Sequence, residues 1–317
     1  MPDDPPLVLL DDRFREFEPA FAPFLRLRTV PFDQDLGALE AREGPIRAVI
    51  TAGNRPIPAP VLALERMGLV ALLGSGYQGL DLSALAQRGI VLTTAAGLNA
   101  PDVATHAVAM FLALNRDLVR NHDHVLSGGW RGRHVDLETR SLDGLKVGVL
   151  GLGAIGRGIA ARLQAFGCDC AWWGPNSKAG EPLPRRASLA DLADWCDVLF
   201  IAARADTSNN GLVDRAVIEA VGQRGSIVNI SRGTIIDEDA LIAALRDGRL
   251  GGAALDVFDP EPTPPGRWQG VPNVVLSPHR GGAGDQTRRA TVNGIVDNIR
   301  RFVDGQKLPH AVALAGL

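Results

Sequence analysis

A glycine-rich turn between an apolar run and a helical segment is the feature that most restricts how this chain can fold. The stretch LKVGVLGLGAIGRGIAARLQAFG (residues 145–167) contains G-x-G-x-x-G at Gly151, Gly153 and Gly156. In a strand–turn–helix unit the first glycine allows a tight turn, the second lets the backbone approach a pyrophosphate, and the third lets helix pack on strand. Ala154 and Ile155 open the helix, whose unpaired N–H groups and dipole favour an anion. The stretch predicts a dinucleotide-binding site, although glycines at a turn can also occur by chance.

Strand-like and helical segments alternate along almost the whole chain. In the first third, the apolar runs LVLL (7–10), RAVIT (47–51), LVALLG (69–74) and GIVLTTA (89–95) are typical of buried parallel strands. A second series begins with LKVGVL (145–150) and continues through DCAWWG, DVLFIAA, GSIVNISRG, GGAALDVF and NVVLSPH. We therefore predict an α/β fold of two Rossmann-like or flavodoxin-like domains, each with a parallel sheet, and a cleft between them.

The two series also indicate where the domains begin and end. The first series ends near residue 97, the second ends near residue 284, and a last helix spans roughly residues 286–303. We expect a substrate domain of residues 1–97 and 285–317, with a dinucleotide-binding domain of residues 98–284 inserted into it. The stretch from Ala100 to Trp130 has no proline after Pro101 and has apolar residues at helical spacing, so we predict one long helix there.

Composition excludes several classes of function. The 317 residues carry a net charge of −3, so the chain lacks the basic surface that nucleic acid or an anionic membrane requires. The first residues, MPDDPPLVLLDDRF, do not resemble a signal peptide, and no apolar stretch is long enough to span a membrane. The three cysteines form no disulfide framework, and no cluster has metal-ligand spacing. We expect reduced thiols, a cytoplasmic location and no bound metal.

The end of the second strand of the dinucleotide-binding series bears on cofactor choice. NAD-binding units usually have Asp or Glu about 20 residues after the glycine turn, where it binds the ribose 2′-OH. In CDCAWWGPNSK this place holds Gly174, followed by Asn176, Ser177 and Lys178. A small residue followed by hydrogen-bond donors and a cation suits a 2′-phosphate, so NADP(H) is favoured over NAD(H). The alternative is that Lys178 is a solvated loop lysine.

Four further motifs resemble a known family. GLGAIG, NISRGTIIDEDAL, GGAALDVFDPEP and NVVLSPHRGG follow one another at the ends of successive predicted strands, and LLGSGYQGLD lies in the first third. Together they resemble the D-isomer-specific 2-hydroxyacid dehydrogenases over essentially the whole chain, in particular the branch of glyoxylate and hydroxypyruvate reductases. The resemblance implies an NAD(P)-dependent enzyme that interconverts 2-keto acids and D-2-hydroxy acids.

Three residues are the predicted catalytic group. The resemblance implies that Arg232 binds the substrate carboxylate and polarises the ketone, that His279 is the acid/base, and that Glu261 pairs with its imidazole. Chemistry supports these roles, because arginine is a planar carboxylate clamp and histidine exchanges a proton near neutrality. Singly, Arg232 could be a surface arginine and Glu261 a solvated acid; together, downstream of the glycine turn, they favour catalysis.

The resemblance assigns further contacts and also shows departures. Asp256 matches a residue that contacts the nicotinamide amide, and the backbone N–H groups of Ser75 and Gly76 match groups that bind the substrate carboxylate. Arg204 stands where the family often has proline, and Arg280 adds a charge beside the predicted acid/base. No role is predicted for either arginine.

The predicted function is reduction of small 2-keto acids such as glyoxylate and hydroxypyruvate, with NADP(H) preferred. Two alternatives remain open. One is reduction of a larger aromatic 2-keto acid such as hydroxyphenylpyruvate. The other is a non-catalytic, dinucleotide-sensing binding protein on the same fold. The resemblance also implies a homodimer, with the helix from Ala100 and the segment around Trp130 as its candidate contact.

Overall fold

A computed structural model describes residues 5–130 and 139–314 of the chain. The chain divides into two compact units, one formed by Met1–Asn99 together with Gly284–Leu317, the other by Ala100–Ala283. In the described residues, each unit contains one parallel β-sheet with helices packed on it. The predicted fold class, two parallel-sheet α/β units, is confirmed. Which unit binds which ligand stays a prediction at this point.

The discontinuous N-terminal unit contains a five-stranded parallel sheet of order β2-β1-β3-β4-β5. This is the flavodoxin-like strand order. Its strands are β1 (Leu7–Asp11), β2 (Arg26–Val30), β3 (Ile46–Thr51), β4 (Leu69–Leu72) and β5 (Val91–Thr93). Its helices are α1 (Glu18–Phe21), α2 (Gly37–Glu43), α3 (Ala59–Leu62), α4 (Leu82–Gln87) and, from the end of the chain, α11 (Asp285–Val303).

Both faces of this sheet are covered, which explains its continuous apolar strands. Leu7 and Leu9 of β1 belong to one hydrophobic cluster, whereas Val8 and Leu10 belong to another on the opposite face. Strand β2 was not among the predicted strands, because its sequence RLRTV alternates charged and apolar residues at the edge of the sheet.

The second unit contains a six-stranded parallel sheet of order β11-β10-β9-β8-β6-β7. Its strands are β6 (Lys146–Leu150), β7 (Asp169–Trp173), β8 (Val198–Ile201), β9 (Ser226–Asn229), β10 (Gly252–Leu255) and β11 (Val274–Leu276). Its helices are α5 (Ala100–Asn115), α6 (Leu118–Leu126), α7 (Ala154–Gln164), α8 (Leu189–Trp195), α9 (Arg215–Val221) and α10 (Glu238–Arg246). Because β6 pairs with both β7 and β8, the strand order reverses at β6, and ligands of open α/β sheets bind at such a point.

The single long helix predicted from Ala100 is wrong. The chain forms two helices, because Asp117 adopts a left-handed conformation with φ of 53° less two, that is 51°, between Asn115 and Leu118. The inner face of α5 is as predicted, with Val103, Ala107 and Phe111 buried. Within residues 5–130 and 139–314, no helix has the length and apolar character needed to cross a membrane.

Candidate active site

The three glycines of the turn after β6 have different surroundings. Gly151 has a φ of +93°, and a Cβ built on it would lie 2.5 Å from the Cα of Ala203. A Cβ on Gly156 would lie 2.2 Å from the carbonyl oxygen of Gly151, so this glycine lets α7 pack against the turn. A Cβ on Gly153 would meet nothing within 4 Å. Two glycines are therefore required by the fold, while Gly153 faces open space.

The N-terminus of α7 opens beside Gly153. Gly153 is the N-cap residue, no side chain caps the helix, and the first helical bond runs from the N–H of Arg157 to the carbonyl of Gly153 at 3.0 Å. The N–H groups of Ala154 and Ile155 therefore point out of the helix end, next to the space left by Gly153. Such an end suits an anionic group, so these residues fit the pyrophosphate of a dinucleotide.

The end of β7 combines a buried glycine with an exposed turn. Gly174 is buried, whereas Asn176, Ser177 and Lys178 are all exposed in the turn that follows. A Cβ on Gly174 would meet only the ring of Trp172, at 3.5 Å. The carboxylate that commonly ends this strand is therefore absent from these positions in sequence, and three polar side chains face solvent instead.

The structure adds two arginines to this region that the sequence did not reveal. Arg185 donates a hydrogen bond of 2.8 Å to the carbonyl of Gly174, and its guanidinium lies 5.7 Å from the ring centre of Trp172. Arg157 of α7 forms an ion pair with Glu181. Arg185 reaches Gly174 because its segment runs parallel to β7 and pairs with Trp172, a return of the chain that no local spacing indicates.

His279 and Glu261 form the pair expected from their motifs. Nδ1 of His279 lies 2.7 Å from Oε2 of Glu261, and the other carboxylate oxygen accepts the N–H of Phe258 at 3.1 Å. The hydrogen bond to a carboxylate assigns the Nδ1–H tautomer, which leaves Nε2 to exchange a proton. The imidazole is 47 % exposed, so Nε2 is accessible to a ligand.

The electrostatics of Glu261 keep its carboxylate charged. Burial raises its pKa, but the hydrogen bond and charge of His279 outweigh burial, with further help from the Phe258 N–H and the charge of Arg232. The net result is a pKa below the ordinary value of 4.5. Glu261 is thus an anion throughout the neutral range, and it can stabilise the imidazolium form of His279.

Arg232 follows β9 and lies close enough to influence Glu261. Asn229, at the end of β9, brackets the turn: its Nδ2 donates to the carbonyl of Arg232 at 2.9 Å, and its Oδ1 accepts the N–H of Ser231 at 3.0 Å. A Cβ on Gly233 would lie 2.0 Å from the carbonyl carbon of Phe258, so only glycine lets the Arg232 turn approach the Glu261 loop. The predicted catalytic residues are therefore drawn to one edge of the sheet.

Two buried polar side chains that support this edge were missed from sequence. Asn229 is 1 % exposed and Glu238 is 7 % exposed. Glu238, in the first turn of α10, accepts the N–H of Asp259 at 2.7 Å and the Nε of Arg267 at 2.9 Å. Glu238 and Asp239 occur in the NISRGTIIDEDAL motif, but nothing in the motif indicates that Glu238 reaches the loop before Glu261.

Asp256 is buried behind the His279 loop. Its Oδ1 accepts the N–H of Arg280 and its Oδ2 accepts the N–H of Gly281, each at 2.8 Å. His106 of α5, for which no role was predicted, lies 3.2 Å from Oδ1 through its Nε2. The carboxylate thus holds the loop that carries His279. Its contact with the nicotinamide stays a prediction.

The remaining predicted residues lie elsewhere. Ser75 and Gly76 are in the loop after β4 of the N-terminal unit, where the carbonyl of Gly76 approaches Gly53 so closely that only glycine fits there. Their role in binding substrate stays a prediction. Arg204 and Arg280 are both exposed. Among the described residues, no group of three or more His, Cys, Asp or Glu side chains has an arrangement that could hold a metal ion.

Comparison with known proteins identifies the family. Residues 108–281 match the model of the NAD binding domain of the D-isomer specific 2-hydroxyacid dehydrogenases. The chain belongs to this family. It is accordingly a 2-hydroxyacid dehydrogenase that uses a nicotinamide dinucleotide, and the match lies within the unit that contains the glycine turn.

The relatives of this dehydrogenase are 2-keto acid reductases. It is 35 % identical to a 2-ketogluconate reductase of Gluconobacter oxydans over 83 % of the chain and 85 % of the relative. It is 33 % identical to the hydroxyphenylpyruvate reductase of Plectranthus scutellarioides, over 94 % of the chain and 92 % of the relative. It is 36 % identical to glyoxylate/hydroxypyruvate reductase A of Arabidopsis thaliana, over 85 % of the chain and 86 % of the relative.

Solved structures resemble this dehydrogenase over nearly its whole length. The 2-hydroxyacid dehydrogenase of Ketogulonicigenium vulgare matches with a TM-score of 0.85 and 35 % identity, covering 98 % of both chains. An NADPH-dependent glyoxylate/hydroxypyruvate reductase of Sinorhizobium meliloti, in complex with NADP and malonate, matches with a TM-score of 0.80 and 29 % identity, again over 98 % of both chains. The family resemblance drawn from the motifs is therefore confirmed.

Proposed function

We propose that this dehydrogenase is an NADP(H)-preferring reductase of small 2-keto acids, such as glyoxylate and hydroxypyruvate, and that it forms D-2-hydroxy acids. The observation that carries the proposal is the 2.7 Å hydrogen bond between Nδ1 of His279 and Glu261, which leaves an accessible Nε2. An imidazole held in this way can deliver one proton to a nascent alkoxide and recover it in the reverse direction.

The catalytic residues would divide the work in a simple way. Arg232 binds the substrate carboxylate through its planar guanidinium and draws electron density from the adjacent ketone. His279 gives its Nε2 proton to the ketone oxygen, while Glu261 keeps the imidazolium oriented and compensates its charge. The bound dinucleotide supplies the hydride. Ser75, Gly76 and Asp256 keep the binding roles that the family resemblance assigns to them, as predictions.

The glycine turn is proposed to hold the dinucleotide. Gly151, Gly153 and Gly156, with Ala154 and Ile155 at the helix end, would bind the pyrophosphate. The support is the open space beside Gly153 and the uncapped N-terminus of α7. This position also lies where the strand order reverses at β6, as expected for a ligand of an open α/β sheet.

The NADP(H) preference is proposed from the residues at the end of β7. Gly174 leaves room for a 2′-phosphate, and Asn176, Ser177 and Lys178 expose donors and a cation beside it. Arg185, bonded to the carbonyl of Gly174, adds a second positive charge at the same place. The related Sinorhizobium meliloti reductase is NADPH-dependent, which also supports this choice.

Two observations favour testing other functions alongside. The hydroxyphenylpyruvate reductase matches over 94 % of the chain, which supports an aromatic 2-keto acid as the second candidate substrate. The 2-ketogluconate reductase adds a sugar-derived 2-keto acid. The non-catalytic, dinucleotide-sensing alternative predicts cofactor binding without turnover of any of these acids.

We also propose a homodimer that uses the outer face of α6. Leu118, Val119, Val125 and Leu126 of this helix and the nearby Trp130 are all more than half exposed, and Leu126 and Trp130 reach 73 % and 74 %. An apolar surface of this kind is typical of a contact between subunits. The rest of the predicted contact segment, residues 131–138, lies outside the described residues. Sedimentation equilibrium of Leu126→Glu tests the proposal, and an unchanged mass would contradict it.

A reducing compartment, and with it a cytoplasmic location, remains part of the proposal. The three cysteines are free and buried rather than paired. Burial raises the pKa of Cys170 and Cys196 to about 12, so they are packed thiols with no tendency to ionise.

The experiment that tests the catalytic proposal is a set of initial rates measured at the nicotinamide absorbance band. NADPH and NADH are each compared on glyoxylate, hydroxypyruvate, hydroxyphenylpyruvate and 2-ketogluconate. We expect the largest kcat/KM with NADPH and one of the two small acids. The matched variant His279→Asn should lose turnover and keep NADPH binding. A preference for NADH refutes the cofactor proposal alone, whereas binding without turnover favours the dinucleotide-sensing alternative.

A further inference from the structure

The loop that carries His279 is held by a single buried carboxylate. Asp256, only 2 % exposed, accepts the N–H groups of Arg280 and Gly281, one on each oxygen, both at 2.8 Å. Its own carbonyl accepts the N–H of His279 at 2.9 Å. A Cβ on Gly281 would lie 2.9 Å from Oδ2, so the loop is also in close contact with this side chain. Three successive residues of the loop are therefore anchored to Asp256.

His279 has a backbone conformation that needs such an anchor. Its φ is 53°, in the left-handed region that residues other than glycine seldom adopt. Holding a non-glycine residue there costs about 1–3 kcal/mol unless neighbouring contacts determine the conformation. The direction of the imidazole is consequently set by the loop backbone as well as by the hydrogen bond to Glu261.

A second histidine supplies the side-chain donor to this carboxylate. Nε2 of His106, on α5, lies 3.2 Å from Oδ1 of Asp256 and 3.1 Å from Oγ of Ser277. Because an ionised carboxylate can only accept, Nε2 carries the proton and shares it between Asp256 and Ser277. Its ring also lies against Gly281, at 3.6 Å from the position that a Cβ would take. His106 thus touches both the anchor and the loop.

We propose that His106 is a positioning residue for the reduction: by donating to Asp256 and Ser277, it fixes the carboxylate that holds the His279 loop in its left-handed conformation. The inference rests on the proposed function, because it matters for catalysis only if His279 transfers the proton. The link runs from α5 to the acid/base through two hydrogen bonds. The first is His106 to Asp256, and the second is Asp256 to the loop backbone.

The same arrangement limits how Asp256 can serve the cofactor. A carboxylate offers about four acceptor positions. Three are used by His106, Arg280 and Gly281, which leaves one on Oδ2 for a donor such as the nicotinamide amide. Loss of the His106 donor would free the carboxylate to rotate, and both the loop and the remaining acceptor position would then lose their direction.

Three variants on α5 test the inference. His106→Leu removes the donor and keeps a bulky apolar side chain, whereas His106→Gln retains an N–H donor at a similar reach. Thr105→Ala is the matched control, because Thr105 is the preceding residue, is exposed, and bonds only within the helix, to the carbonyl of Pro101 at 2.8 Å. If His106→Leu does not fold, His106→Asn replaces it, since its shorter amide cannot reach Asp256 from the same backbone.

The decisive readout is hydrogen exchange of the Arg280 and Gly281 amides in the protein without cofactor. We expect exchange at least 10-fold faster in His106→Leu, near the wild-type rate in His106→Gln, and unchanged in Thr105→Ala. With saturating cofactor and substrate, kcat should fall about 10-fold or more in His106→Leu and recover in His106→Gln, while substrate KM, set mainly by Arg232, changes less.

Unchanged amide exchange in His106→Leu would overturn the inference, whatever happens to the rate. So would equal loss of kcat in His106→Gln and His106→Leu, since that would indicate packing and not hydrogen bonding. The amide measurement needs no turnover. If the wild-type protein reduces no 2-keto acid, the proposed function fails while faster exchange in His106→Leu still supports the structural link.

Discussion

Gly153 and Gly156 allow folding and cofactor binding to be separated within one turn. Gly153→Ala places a methyl group where nothing lies within 4 Å, and its backbone is extended, with φ of −82° and ψ of −164°. An L-residue adopts this conformation without strain, so alanine should leave the fold intact and stabilise it by about 0.4–1 kcal/mol through the unfolded chain. The methyl group would occupy the space in which the pyrophosphate is expected to lie.

Gly156→Ala should have the opposite result. Its Cβ would lie 2.2 Å from the carbonyl oxygen of Gly151 and 3.1 Å from a methyl carbon of Val149. The turn and α7 must then move apart, and overpacking of this kind costs about 1–3 kcal/mol. For a unit of this size that corresponds to a fall in Tm of about 2–4 °C for each kcal/mol.

The effect of Gly153→Ala on binding can be estimated from one displaced contact. If the added methyl prevents one backbone N–H from reaching a phosphate oxygen, the loss is about 1.5–3 kcal/mol, the value of a hydrogen bond to a charged group. This corresponds to an increase of roughly 10- to 150-fold in the Kd for NADPH. Thermal unfolding without ligand, together with calorimetric titration of NADPH, measures the two quantities separately.

The expected outcome is therefore a crossed pattern. Gly153→Ala should unfold at or above the wild-type temperature and bind NADPH poorly, whereas Gly156→Ala should unfold at a lower temperature. Wild-type NADPH affinity in Gly153→Ala would refute the assignment of the pyrophosphate to this turn. Wild-type stability in Gly156→Ala would refute the packing argument instead.

Three other measurements test charge and burial. Glu261→Gln should move the upper pH limit of 2-keto acid reduction downward by about one unit, because the His279 imidazolium loses its anionic partner; a pH–rate profile that does not move contradicts the pairing. Burial raises the pKa of Asp11, but hydrogen bonds from Arg13 and Thr51 outweigh it and lower that pKa below 3.8. Its contribution to stability is therefore complete above pH 3.8 and is lost as pH falls through the lowered value. Asp11→Asn should cost roughly 1–3 kcal/mol in urea unfolding at pH 7, with a smaller difference at pH 3. Cys196 should not react with a disulfide reagent at pH 8 until the protein unfolds, because its thiol pKa is about 12; rapid reaction of the folded protein would contradict its burial.

The strands and the glycine turn were predictable because their signals are local. A parallel strand covered on both faces must be apolar at every position, and β1, β4, β8 and β10 are buried along their whole length. The turn after β6 is equally local, since each glycine is required by a contact a few residues away or by its own φ. Strand β2 lacked this signal because it lies at the edge of its sheet and contains two arginines.

Features that depend on distant parts of the chain could not be predicted in the same way. The break between α5 and α6 depends on the left-handed conformation of Asp117, and no glycine or proline marks it. Arg185 reaches Gly174 only because its segment returns beside β7. Glu238 reaches Asp259 across 21 positions of sequence, and its place beside other acidic residues gives it the appearance of an ordinary helix start.

The pairing of His279 with Glu261 was anticipated from motifs, but the means of aiming the imidazole was not, and the reason is physical. A motif names the residue that reacts, whereas its direction depends on backbone torsions that are set by contacts from other elements. Here β10 supplies Asp256 and α5 supplies His106, 150 positions earlier in the chain. A sequence that keeps SPHRGG but loses the donor at position 106 would keep the reactive group and lose its alignment. Substitutions at His106 should therefore impair catalysis even though this residue lies outside every motif that identified the family.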